Sequence, residues 1–254
     1  MKVSNYYIGY FDILGYKDLM QSLGENSFLQ IINDLVLEVV KALNKKIKFI
    51  AEDLRFGYRI FSDNILIYCP LPNNKTEIEY LSKFNDNIYK SSFNFVNYEI
   101  IYLSLLMEQI ICLQKSFIEK YGIFIRGGIT RGTLFCDDNF IYGQGLIEAY
   151  NLENHIAKHP RIIISNKIVD LIEKYSEEEL RFNRFPSIER INDDILFLNY
   201  LHMVDDSFME MHKALISSRI ATYRQAPSIL EKYLWCKDYH NKVCYDNKLQ
   251  SLIE

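Results

Sequence analysis

Two stretches decide how the chain folds: Tyr6-Tyr7-Ile8-Gly9-Tyr10-Phe11-Asp12-Ile13-Leu14-Gly15-Tyr16 and Arg59-Ile60-Phe61-Ser62-Asp63-Asn64-Ile65-Leu66-Ile67. Each is an apolar, β-branched and aromatic run of strand length with a single aspartate set into it. A carboxylate buried without a partner is costly, so the two aspartates need an explanation. The plain one makes Asp12 a helix N-cap and Asp63 a hairpin-turn residue. The chemical one brings both to a shared divalent cation.

Working outward, residues 5 to 11 read as a buried strand, Gly15 breaks it, and a helix follows from Lys17. Ile31, Ile32, Leu35, Val36, Val39, Val40 and Leu43 recur at helical spacing along one face. Residues 54–61 and 65–69 form a hairpin turning at Ser62-Asp63-Asn64, and Pro70 and Pro72 end it. The polar stretch 74–96 has no readable period, and a helix runs from about Tyr98 to Lys120. Residues 122–135 read as a strand pair whose glycines permit positive φ or close backbone approach. A short strand at 140–142, a helix opened by Gly143-Gln144-Gly145, a strand at 161–164, a helix at 166–174 and a last strand at 195–200 follow. The order β-α-β-β-α-β, then α-β, predicts an α+β fold built on a ferredoxin-like sheet. Residues 1–203 would form this domain and 204–254 a C-terminal helical hairpin interrupted at Pro227.

The 254 residues carry a formal net charge of −4, which offers no basic field to a nucleic-acid partner. No charge-free apolar run reaches the roughly 18 residues of a membrane span, and the N-terminus lacks a signal-peptide layout. Five scattered cysteines fit reduced thiols, so a cytoplasmic protein is expected. The 19 tyrosines and 16 phenylalanines suggest a thick core or an extensive subunit interface. Cys236, His240 and Cys244 fall at i, i+4, i+8 on the last helix, but Trp235, Tyr239 and Val243 beside them favour packing over zinc. His155 and His159 read as solvated.

In a ferredoxin-like sheet the first strand and the hairpin are neighbours, so Asp12 and Asp63 come together. Two carboxylates about 4–6 Å apart repel unless a cation lies between them. Oxygen ligands select Mg²⁺ or Mn²⁺, which keeps positions open for phosphate oxygens. Such ions lower the pKa of a ribose hydroxyl and steady a departing pyrophosphate. The Leu14-Gly15-Tyr16 turn opens a helix whose N–H groups can take the β- and γ-phosphates.

Phe11-Asp12-Ile13-Leu14-Gly15-Tyr16, Phe61-Ser62-Asp63, Arg126-Gly127-Gly128-Ile129-Thr130-Arg131-Gly132 and Tyr142-Gly143-Gln144-Gly145-Leu146-Ile147-Glu148-Ala149-Tyr150-Asn151-Leu152-Glu153 stand in the order found in class III nucleotide cyclases. Over residues 5–200 the chain resembles that family, most of all the Pycsar pyrimidine cyclases of bacterial anti-phage defence. The resemblance implies a homodimer with active sites at the interface. It would make cyclic UMP or cyclic CMP from UTP or CTP with two Mg²⁺ or Mn²⁺ ions per site. The messenger would then switch on a separate effector.

The resemblance assigns the metal to Asp12, Asp63 and the Ile13 carbonyl. It places Arg59, four residues before Asp63, where adenylate cyclases carry a purine-reading lysine. A guanidinium there suits a pyrimidine carbonyl. Phe140 stands where the purine-reading aspartate would be, which argues against ATP and GTP. The family's transition-state Asn and Arg align with Ile147 and Asn151, so phosphate stabilisation must come from elsewhere, with Arg126 and Arg131 as candidates. The alternatives are a purine cyclase or a catalytically degenerate module that only binds nucleotide.

Overall fold

The computed structural model describes residues 3–48, 55–71, 98–176, 188–191 and 194–253. In chain order the elements are β1 (Ser4–Ile13), α1 (Tyr16–Leu23), α2 (Glu25–Lys48), β2 (Gly57–Phe61), β3 (Asn64–Pro70), α3 (Tyr98–Tyr121), β4 (Ile125–Cys136), β5 (Ile141–Tyr142) and α4 (Gln144–Asn151). Then come a π-helical turn (Leu152–Ile156), β6 (Ile162–Ile164), α5 (Asn166–Ser176), β7 (Ile188–Glu189), β8 (Phe197–Leu198), α6 (Asp206–Thr222) and α7 (Pro227–Asn247). The strands form one sheet in the order β2-β3-β1-β4-β6-β8-β7, with β5 paired to β4. The first four strands are antiparallel in the ferredoxin-like order, and β6 adds parallel to β4. The α+β expectation therefore holds.

Two expectations change. Residues 122–135 are not a strand pair: β4 runs unbroken from Ile125 to Cys136 and pairs with β1 from Ser4 to Ile13. Gly127, Gly128 and Gly132 are there for close approach, not for a turn. The positive-φ glycines are Gly15, Gly24, Gly122 and Gly143. The last strand shrinks from 195–200 to Phe197–Leu198, since Asn199 to Leu201 bond to the C-terminal hairpin instead. The polar stretch 74–96 lies outside the described residues.

Alternation along β1 sorts the two faces of the sheet. Tyr7, Phe11 and Ile13, with Ile65 and Ile67 of β3, join the main core beneath α2 and α3. Ile8 and Tyr10, with Leu66, Tyr68 and Leu134, look the other way and meet Ala149 of α4 in a smaller cluster. Helix α4 can lie that close because Gly132 and Gly145 face each other: a Cβ on Gly145 would stand 2.2 Å from Ile8 Cδ1 and 3.1 Å from Gly132 Cα. Replacing Gly132→Ala would set a Cβ 2.7 Å from Gly145 Cα, so backbone must move rather than a flexible tip. We expect a loss of about 2 kcal/mol in chemical denaturation, and unchanged stability would contradict this packing.

Helices α6 and α7 share the main core through Met209, Ile216, Trp235, Cys236, Tyr239 and Val243. Among them runs a buried chain of polar groups. His240 Nε2 lies 2.6 Å from the Ser251 carbonyl, His240 Nδ1 3.0 Å from His212 Nδ1, and His212 Nε2 3.0 Å from the Tyr200 hydroxyl. A carbonyl only accepts, so His240 carries its proton on Nε2, His212 donates from Nδ1, and Tyr200 donates to His212. Both ring nitrogens of His240 are thus taken, which removes it as a zinc ligand. His159 is not solvated either; it stacks on Trp235 at 5.5 Å.

Burial, and then His240 beside it, drives the His212 pKa down to about 3. The unfolded chain, with histidine near 6.5, binds that proton first. His212 therefore contributes stability that is complete above about pH 6.5 and is lost as pH falls toward 3, at up to about 1.4 kcal/mol per pH unit. Nitrogen-15 NMR should find His212 neutral at pH 5; a protonated ring there would contradict the assignment.

Candidate functional site

Asp12 closes the row of β1 that faces α4, in register with Asn64 of β3 on one side and Arg126 of β4 on the other. Asp63 comes next to it because the hairpin turns at Ser62, whose φ is +58°, and because Ile13 N–H donates to the Asp63 carbonyl at 3.0 Å. The two aspartates are therefore diagonal neighbours at one end of the sheet. Both carboxylates also act on the same two groups. They raise the pKa of Glu153, behind its burial, and of Tyr10, which burial and then Glu153 push up to about 12.

Glu153 is the group that the sequence pattern does not reveal. It sits in the π-helical turn after α4, 4 % exposed, and faces Arg126. Arg126 is the hub. Its Nε donates to Asp12 Oδ2 at 2.8 Å and its Nη1 to the Ala157 carbonyl at 3.2 Å. Its Nη2 lies 2.7 Å from Glu153 Oε1 in an ion pair not aligned as a hydrogen bond. Arg126 therefore points into the site. Lys232 of α7 completes the cluster. It is half-buried, and burial and then Arg126 lower its pKa while Asp12 and Glu153 oppose them. Three carboxylates thus face two cations.

The remaining expected residues are placed less evenly. Gly15 takes φ +76° as the N-cap of α1, a left-handed turn that glycine adopts without cost. The Leu14 N–H donates to the Phe124 carbonyl at 3.0 Å, which removes it as a phosphate donor. The N–H groups at the start of α1, from Tyr16 on, remain to serve that role. The Tyr16 ring packs edge-on against Phe28 at 5.2 Å. Arg59 is in register with Leu66, so it lies on the Asp12 face of the sheet. Its Nη1 and Nη2 donate to the Tyr58 and Asp137 carbonyls at 3.1 and 2.9 Å. Asn151 ends α4 exposed, and Ile147 is exposed on the same helix.

Do these residues suit a divalent cation? Among the described residues no group of three or more His, Cys, Asp or Glu is arranged to hold a metal. Two carboxylates are nevertheless the protein contribution that Mg²⁺ takes in phosphate chemistry, where substrate oxygens and water supply the rest. Asp63 Oδ1 accepts from the Asn64 amide and Asp12 Oδ2 from Arg126, leaving lone pairs on both groups. The donor set fits.

Neither a protein-family model nor a curated protein matches the sequence. Solved structures similar to it include nucleotide cyclase domains. The monomeric guanylyl cyclase domain of the RhoGC fusion protein from the fungus Blastocladiella emersonii is 17 % identical, over 68 % of this chain and 88 % of that one, with a TM-score of 0.44. The catalytic core of a rhodopsin-guanylyl cyclase with converted specificity, in complex with ATPαS, is 12 % identical over 78 % and 97 %, with a TM-score of 0.46. The adenylate/guanylate cyclase/hydrolase from Silicibacter pomeroyi is 14 % identical over 78 % and 95 %, with a TM-score of 0.42. At scores this low the overlap is loose, and the α+β fold stands on its own strand order.

Removing Arg126 leaves Asp12 and Glu153 uncompensated. For Arg126→Met we expect about 3 kcal/mol less stability at pH 7. Burial already raises Glu153, so the deficit should shrink as pH falls to 5 and the Glu153 carboxyl takes up a proton. Denaturant midpoints at both pH values check this, and a deficit that grows on acidification would contradict it.

Proposed function

We propose that the chain is a metal-dependent nucleotide cyclase that converts UTP, with CTP as second choice, to the 3′,5′-cyclic monophosphate and pyrophosphate. The observation that carries the reading is the meeting of Asp12 and Asp63 at adjacent strand ends, one residue from the Ile13 backbone and three from the Gly15 turn. In the reaction the ribose 3′-oxygen bonds to the α-phosphorus, the bond from that phosphorus to the β-phosphate oxygen breaks, and the hydroxyl proton leaves to water. Mg²⁺ or Mn²⁺, held by Asp12 and Asp63, supplies charge neutralisation along the triphosphate.

The chain's own residues do the rest. The N–H groups at the start of α1 present positive dipole ends to phosphate. Arg59, braced on two backbone carbonyls, keeps N–H groups for a base carbonyl. Phe140 is 63 % exposed where a purine cyclase would offer an aspartate, which supports a pyrimidine. Phe140, Tyr142, Ile147 and Tyr150 are all exposed along α4 and the segment leading into it, an apolar strip that supports a homodimer. Among the described residues no helix is long and apolar enough to cross a membrane. The role in anti-phage signalling, the cytoplasmic setting and the effector rest on the family resemblance.

The Asp12–Arg126 ion pair favours one other reading, a cyclase-like module that binds nucleotide without turnover, because Asp12 is already engaged. One assay separates the two. With Mn²⁺ and each of the four ribonucleoside triphosphates, cyclic product is expected from UTP or CTP, and Asp12→Ala and Asp63→Ala should each abolish it while the protein stays folded. Product from ATP alone would sink the pyrimidine assignment; none from any of them, in a folded protein, would leave the binding module.

A further inference from the structure

On the face that a cyclase needs for phosphate, helix α4 offers only Ile147 and Asn151, neither charged. Arg126 is no replacement, since its guanidinium already serves Asp12, Glu153 and the Ala157 carbonyl. Lys232 differs from it in one respect. Among the described residues no carboxylate or carbonyl takes its ammonium in a hydrogen bond or close ion pair, although it lies within electrostatic reach of Asp12, Glu153 and Arg126.

Its neighbours fix its position independently. Tyr233 packs edge-on against Phe124, two residues before Arg126, with ring centroids 6.0 Å apart. Trp235 stacks on His159, two residues after Ala157, at 5.5 Å. The start of α7 is thus wedged between the entry to β4 and the exit from the π-helical turn, the two segments that hold Arg126. Lys232 shares a helix face with Trp235 at i, i+3 and lies one turn nearer the N-terminus of α7. With no direct partner among the described residues, its ammonium keeps its N–H donors for arriving phosphate oxygens.

We infer that Lys232, delivered by the C-terminal hairpin, is the phosphate-binding cation of this site and takes the β- and γ-phosphates of the nucleotide held by Asp12 and Asp63. The inference rests on the triphosphate reading above. It gives the hairpin a chemical role, because the sheet's own cation there, Arg126, is already engaged. Lysine suits it as a compact point charge on a flexible stem.

The test uses the full chain with Mn²⁺ and 3′-deoxy-UTP, which cannot cyclise, followed by calorimetry. Lys232→Met should weaken binding about tenfold or more, as expected for loss of a charged hydrogen bond. Lys232→Arg should restore it to within about threefold. Binding of uridine should stay that of the parent. If Lys232→Met binds 3′-deoxy-UTP as well as the parent does, or loses uridine equally, the assignment of Lys232 is overturned while the triphosphate reading stands. If the parent binds no triphosphate at all, both fall. If it binds in a Lys232-dependent way yet forms no cyclic product from UTP, the phosphate role holds and cyclisation alone is lost.

Discussion

A single guanidinium ties the working end of this protein together. Arg126, on β4, reaches Asp12 on β1, Glu153 in the turn after α4 and the carbonyl of Ala157 that closes that turn, so one side chain ties together segments far apart in sequence. Its neighbourhood is dry enough that each ion depends on the others. Such a network stabilises little in excess of an apolar patch, but removing any one member strands the rest. What it secures is geometry: the carboxylate at the end of β1, the start of β4 and the π-helical turn hold one arrangement.

Much of this is legible in the sequence, for identifiable reasons. The hairpin at Ser62-Asp63-Asn64 is readable because short polar residues between two β-branched runs have few other uses. Strand order follows from element order, and the approach of Asp12 to Asp63 follows from strand order. Helix α2 announces itself through Ile32, Leu35, Val36 and Val39 at helical spacing. β4 does not, because its glycines look like turn residues; they serve as smooth ground for α4 and for β1, a contact between elements that no local pattern records.

The rest of the site is hidden for a different reason. Glu153 lies in a segment that reads as ordinary helix, and nothing in its neighbours signals a widened turn. Lys232 is one of many surface-type lysines until the fold of α7 sets Tyr233 on Phe124 and Trp235 on His159. The histidines are disguised in the same way: His159 and His240 are rings used for stacking and hydrogen bonding inside a core, and burial suppresses the charge of His240.

The π-helical turn carries a consequence for how this sequence can vary. It amounts to one residue more than an α-helix of the same span would contain. Each residue of helix advances about 100° around the axis. Deleting one residue between Leu152 and Ile156 would relax the turn into ordinary helix and swing one side of the segment by that angle. Docking of α4 against the sheet and presentation of the acid to the guanidinium could not then both survive. Length at this spot is therefore a tighter constraint on descendants of the chain than the identity of most side chains around it.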